Sequence, residues 1–433
     1  MKRMPGLPEE PRPRRGWEPI LAGELASRAR HAIAAVLKDV AKEDHASAVH
    51  SGILGEALLF GHMVMNSMAS QDDCLQLATN HVERAIDDFH RIQHLPHLYG
   101  GYVGVAWTIQ HLRALVMEPN IDPNQDIDNV LLTLLSDDRP WAGFYDLIAG
   151  LVGIGVYALE RLPAPSGTQI IARVIAHLDR LSIETSGQIS WKTEPSMLPA
   201  RQRAEAPDGY FNLGVAHGVP GIIGLLSRTY RRGHCRTEAR RIAQGAIRWV
   251  LSQRLPPGKQ SAFPYWTGPG TKSTATRPTW CYGDLGVTMC LLAAARDLGN
   301  PAWAAAAIQI ASDVARRSRD STLVQDASLC HGAAGMAHMF NRLFQATGAA
   351  EFRELALYWY ESTLQQCHPG QGVGGFESYW NDGQAEGYRP DPTFLNGSTG
   401  IALALLAGLS SLEPSWDRAL LVDIPLHDLD VNA

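Results

Sequence analysis

The chain has 433 residues, with 38 Lys and Arg against 44 Asp and Glu for a net charge of −6, and it is 45% hydrophobic and 19% charged. That balance excludes a general polyanion binder, and so nucleic acid as a partner, while the apolar content excludes a disordered chain. No uninterrupted apolar run approaches the ~20 residues needed to span a bilayer, so no membrane insertion is expected.

The N-terminus, MKRMPGLPEEPRPRRGW, carries positive charge but lacks the apolar stretch of a secretory signal, so the chain is expected to stay in the cytoplasm. Residues 1–22 read as a flexible extension and 23–433 as a single domain. Six cysteines are too sparse for a disulfide framework, so any that cluster with histidine point to metal binding or catalysis. The arginine groups Arg12, Arg14, Arg15 and Arg228, Arg231, Arg232 read as solvated charges.

Along the chain a Gly-x-x-Gly pair recurs at Gly52/Gly55, Gly101/Gly104, Gly150/Gly153, Gly218/Gly221, Gly283/Gly286, Gly332/Gly335 and Gly397/Gly400. Successive first glycines are 49, 49, 68, 65, 49 and 65 residues apart. The shortest spacing holds two ordinary helices and two loops, and the longer gaps leave room for extended connections. Each pair leads into a stretch apolar on nearly all sides, such as IALALLAGL, as suits an inner helix packed all round. Between the pairs lie amphipathic segments. The clearest puts Ala239, Ile242, Ala243, Ala246, Ile247 and Val250 on one face and Arg240, Gln244 and Arg248 off it, which suits an outer helix. Seven such helical hairpins predict an all-α fold, a double α/α toroid in which every glycine motif lies at the same rim. Close backbone packing is sufficient reason for most of the glycines.

In that toroid the residues just before each first glycine converge. They are His50-Ser51, Tyr99-Gly100, Ile148-Ala149, Ala216-His217, Cys281-Tyr282, Cys330-His331 and Leu395-Asn396. Repeats five and six are neighbours, which sets Cys281 against Cys330 and His331. Two thiolates and an imidazole are the three protein ligands of a catalytic zinc site, with the fourth position left for water or substrate. We therefore expect one Zn2+ per chain on Cys281, Cys330 and His331. Cys74, Cys235, Cys290, Cys367 and His338 fall outside the register and are assigned to packing or surface.

GVAHGVPG at Gly214–Gly221, WCYGDLG at Trp280–Gly286 and CHGAAG at Cys330–Gly335 resemble the signature motifs of the LanC-type lanthionine synthetases, the cyclases of lanthipeptide biosynthesis. The resemblance runs from about Leu25 to the WDRALL at Trp416. It implies the same double toroid and the same three zinc ligands, and it adds His217, Asp146 of FYDLIAG and Arg277 to the site. Leu285 departs from the proline common at its position. The implied reaction adds a peptide cysteine thiol to a dehydroalanine or dehydrobutyrine of the same peptide, closing a (methyl)lanthionine thioether ring.

In such a reaction a metal-bound thiol is the nucleophile, His217 suits proton donation to the α-carbon, and Asp146 suits holding that imidazole. Arg277 suits stabilisation of the developing charge and Tyr282 suits orienting substrate. The partners implied are a dehydrated lanthipeptide precursor, a dehydratase and an export transporter complex. Two other readings stay open: a LanC-like glutathione-binding or other thiol-binding protein, and a prenyltransferase β-type subunit. The adjacency of Cys330 and His331 speaks against the second.

Overall fold

The computed structural model describes residues 16–42, 52–68, 70–87, 95–136, 140–271, 274–317, 319–381 and 385–426. Residues 1–15 of the expected extension, and His50 and Ser51 before the first glycine pair, lie outside the described residues.

Seven apolar helices begin within or at the end of the glycine motifs: Gly55–Met65, Tyr102–Val116, Leu151–Arg161, Val219–Arg231, Asp284–Asp297, Ala333–Thr347 and Ser398–Leu409. In the last six the first glycine of the motif is the residue immediately before the helix. The chain doubles back sharply there. A Cβ on Gly153 would stand 2.5 Å from the carbonyl oxygen of Leu147, six residues upstream, and the second glycines of motifs two and four to seven face their own upstream carbonyls in the same way. Close backbone approach thus accounts for the repeated glycines. The helix Ser398–Leu409 is buried along its whole length, as an element surrounded by others must be.

Outside these lie Gly23–Val40, Gln71–Asp87, Gln125–Leu134, Pro165–Leu181, Arg236–Ser252, Pro301–Ala315 and Ala350–Gln365. Each buries one face only. In Arg236–Ser252 the residues Ala239, Ile242, Ala243, Ala246, Ile247 and Val250 are buried while Arg240 and Arg248 are exposed. Inner helices pack in chain order, and Ser398–Leu409 returns to Gly55–Met65, so the ring closes.

Closure differs in one respect from seven sequential hairpins. Among the described residues no outer helix follows the last inner helix; its outer partner is the first helix, Gly23–Val40. The seam is tied by Ile20 N and Leu21 N donating to Gly408 O (2.9 and 3.0 Å) and by Trp17 Nε1 donating to Ala407 O (2.9 Å). Trp17, Ile20 and Leu21 are buried. The apolar side chains of Trp17, Ile20 and Leu21, within the expected extension, thus cover the seam.

The long gaps between motifs contain short antiparallel strands. Ile183–Thr185 pairs with Gln188–Ser190, Lys192–Thr193 and Trp266–Thr267 flank Tyr210–Asn212, and Ser378–Asn381 pairs with Glu386–Arg389.

The centre of the ring is filled by the C-terminal segment around Trp416–Leu420. Asp417 accepts from His338 Nε2 and Arg342 Nε, both at 2.7 Å. Tyr99 Oη donates to Ala419 O (3.0 Å) and Trp280 Nε1 to Leu420 O (2.8 Å). Arg228 corrects an expectation. It is buried, with Nε 2.5 Å from Asp423 Oδ1, and Arg231 reaches the other carboxylate oxygen at 3.1 Å. Both arginines face the returning C-terminal segment, whose Asp423 supplies the partner that a buried guanidinium requires.

Candidate metal centre and its surroundings

One line of backbone hydrogen bonds runs along the rim and sets the side chains side by side. Leu147 N donates to Ala216 O (3.2 Å), Ala216 N to Cys281 O (3.4 Å), Cys281 N to Cys330 O (3.3 Å) and Cys330 N to Leu395 O (2.9 Å). Residues one repeat apart in sequence are thereby neighbours in space. The ladder explains why register predicts proximity.

The ligand atoms of Cys281, Cys330 and His331 all lie within 4.8 Å of one another. Two sulfurs sharing a tetrahedral zinc would stand about 3.8 Å apart, so the cluster matches one ion with little rearrangement. The electrostatics agree. The Cys281 thiol is pulled well below its usual value, first by the hydrogen bond from Cys330 and then, against burial, by His331. Cys330 is pushed up by holding that same hydrogen bond and by burial. The two sulfurs thus compete for a proton where a cation would bind. All three residues are only partly buried, which leaves a side open to an incoming group.

Behind His331 stands Asp326, fully buried, with Oδ2 3.6 Å from His331 Nε2. The carboxylate is pinned by Ser328 N (3.1 Å) and Ser328 Oγ (2.8 Å) on Oδ1 and by Tyr379 N (3.0 Å) on Oδ2.

Next along the rim from Cys281, His217 Nδ1 lies 2.7 Å from Asp146 Oδ2, and Asp146 Oδ1 accepts from Ala149 N at 2.8 Å. Burial opposes a proton on His217, but the hydrogen bond and charge of Asp146 outweigh it, so the imidazole titrates above its usual value. Its side chain remains 41% exposed and accessible to a ligand. Tyr282 is 6.1 Å from His217 between ring centroids. The phenol accepts from Asn212 Nδ2 (3.0 Å), and burial raises its pKa. Gly214 makes room for it: a Cβ there would come within 2.7 Å of the Tyr282 ring.

Arg277 Nη2 lies 3.5 Å from Gln325 Oε1, and its charge acts on both Cys330 and His331. It shares a cleft of about 360 Å³ with His331, Tyr379, Trp380, Arg389 and Asp391. All seven residues singled out in the sequence therefore face one region of the rim. Cys290, by contrast, is buried and pushed up to about 12 by burial, and His338 is bound to Asp417 away from the cluster.

Sequence reasoning missed Asn212 and Asp326, although a signal existed. Asn212, Asp326 and Asp391 each stand six residues before a first glycine, and each side chain accepts a backbone N–H two residues on (2.8, 3.1 and 2.8 Å). Arg277 occupies that register in repeat five.

A family model described as lanthionine synthetase C-like protein matches residues 44–421. The nisin biosynthesis protein NisC of Lactococcus lactis subsp. lactis is 23% identical over 308 residues, covering 65% of this chain and 70% of that protein. A solved structure of nisin cyclase superposes with a TM-score of 0.71 at 18% identity, over 92% of this chain and 97% of the other, and shares the toroid fold.

Proposed function

The chain belongs to the lanthionine synthetase C-like family, and on that premise we propose that it is a zinc-dependent lanthipeptide cyclase acting as a single domain. Its substrate is a dehydrated, cysteine-containing precursor peptide. The observation that carries this reading is the pairing, on one rim, of a Cys-Cys-His cluster with an imidazole held by a buried carboxylate.

Cys281, Cys330 and His331 would hold the ion, and zinc bound there lowers the pKa of a substrate thiol so that it reacts as thiolate. The sulfur adds to the β-carbon of the dehydrated residue, and the electron pair moves to an enolate of that residue. The thiol proton passes to solvent, His217 delivers its own proton to the α-carbon and regains one from solvent, so the thioether forms with no net gain or loss of atoms. Asp146 keeps the imidazole protonated and aimed, since its carboxylate already bonds Nδ1 and leaves Nε2 for the substrate. Arg277, on the His331 side of the site, brings positive charge toward the negative charge that develops as the sulfur adds, and Tyr282, fixed by Asn212, orients the peptide.

A dehydratase would supply the substrate, and an export transporter would receive the product, in the cytoplasm. No helix among the described residues is long and apolar enough to cross a membrane. The test is incubation with a dehydrated, cysteine-containing peptide, followed by alkylation and mass measurement. A cyclase removes alkylatable thiols with no change in peptide mass, faster than an enzyme-free control. Thiol binding without thiol loss would instead favour the thiol-binding reading.

A further inference from the structure

A trough of about 880 Å³ opens beside Asp146, lined by Pro96, Val130, Leu134, Trp141, Phe144 and Ala149 among others. Its walls are chiefly apolar, and two of them are unusual for an outer helix. Gln125–Leu134 buries Ile127 and Leu131 inward, yet leaves Val130 53% and Leu134 43% exposed, four residues apart on one face. The far wall is fixed, since Trp141 Nε1 donates to Phe144 O at 2.8 Å. One end of the trough is formed by residues next to the acid–imidazole pair. Ala149, whose N–H holds Asp146, lines it, as does His97, which lies in the field of the same carboxylate.

The opposite flank of the site is different in kind. There the cleft is polar and cationic, with Arg277 and Arg389 beside His331 and Asp391. Ring closure places the peptide's thiol at Cys281, Cys330 and His331 and the α-carbon of its dehydrated residue at His217. Along the rim the order runs from Cys330 through Cys281 and Ala216 to Leu147, so a chain continuing from the dehydrated residue, away from the cysteine, would meet the trough next.

We propose that this trough is a substrate subsite, taking an apolar side chain from the residue next to the dehydroamino acid on the side away from the cysteine. It rests on the cyclase reading and adds a direction to it: the peptide lies with its thiol end over the polar cleft and its dehydrated end over the apolar one. Burying one leucine-sized side chain against these walls corresponds to roughly a tenfold gain in affinity, allowing for partial exposure.

The test uses two dehydrated peptides identical except for Leu or Asn at that neighbouring position, and two unreactive analogues with alanine at both the cysteine and the dehydroalanine. Cyclisation gives KM, and fluorescence anisotropy of the labelled analogues gives Kd. For the wild-type protein the Leu peptide should have a KM and a Kd about tenfold lower than the Asn peptide. In the double variant Val130→Gln, Leu134→Gln, with its fold checked by circular dichroism, that ratio should fall to about one. No preference in the wild type, or a preference unchanged in the variant, overturns the subsite. Cyclisation of neither peptide overturns the cyclase reading, while a variant-sensitive preference in analogue binding would still support the trough as a peptide site.

Discussion

The His217–Asp146 pair permits a prediction of relative as well as absolute effects. His217→Asn removes the proton donor while keeping a similar shape, and loss of a positioned general acid lowers rate by about 10²–10⁴-fold. Asp146→Asn leaves the donor in place but exchanges a charge-assisted hydrogen bond of 2.7 Å for a neutral one. Charged hydrogen bonds contribute about 1.5–3 kcal/mol, and the 41% exposure of the imidazole discounts this through solvent screening to about 1–2 kcal/mol. Asp146→Asn should therefore slow ring closure by roughly 5–30-fold. The two effects should not add: with His217 already absent, Asp146→Asn should cost little further, because the carboxylate acts through the imidazole.

The pH dependence follows from the direction of the shift. His217 titrates above its usual value, so its acid form is fully present below that value and is lost as pH rises through the raised one. The alkaline limb of the cyclisation profile should therefore move to lower pH in Asp146→Asn and disappear in His217→Asn. Initial rates of thiol loss from a dehydrated peptide, with zinc content measured on the same preparations, provide the assay. A wild-type rate for His217→Asn would make the histidine structural. An Asp146→Asn defect equal to that of His217→Asn, or fully additive with it, would refute the orienting role. Loss of zinc from His217→Asn would mean that the ligands are misassigned.

Elemental analysis should find one zinc per chain, abolished in Cys330→Ala, and chelation should remove activity while circular dichroism stays helical, because the ring closes through helix packing and the seam at Gly408. Asp326→Asn and Asp391→Asn disturb the same kind of turn, but only Asp326 lies against a ligand; chelator competition should show zinc affinity about 10–100-fold weaker in the first and unchanged in the second. Trp416→Ala removes a fully buried indole packed 4.6 Å from His338 between ring centroids, and denaturant titration should show a loss of about 3–5 kcal/mol.

What could be read from the sequence depended on distance from the repeat. Cys281, Cys330 and His331 sit one or two residues before a first glycine, and the rim ladder translates that register directly into neighbourhood. Asp146 stands four residues before its glycine and meets His217 across 71 positions, so only the family resemblance pointed to it. Asp326 and Asn212 share a register six residues before the glycine, yet an isolated Asp or Asn there reads as ordinary turn chemistry until a ligand or a phenol is seen against it. The C-terminal segment had no register at all. Its partners Tyr99, Arg228, Trp280 and Arg342 come from four different repeats, and only the closed ring brings them to one segment. The misreading of Arg228 has the same origin: an arginine ending an apolar helix looks solvated when the helix is considered alone. Once the helices close into a ring, Arg228 lies buried against the returning C-terminal segment, and its charge is met there by Asp423.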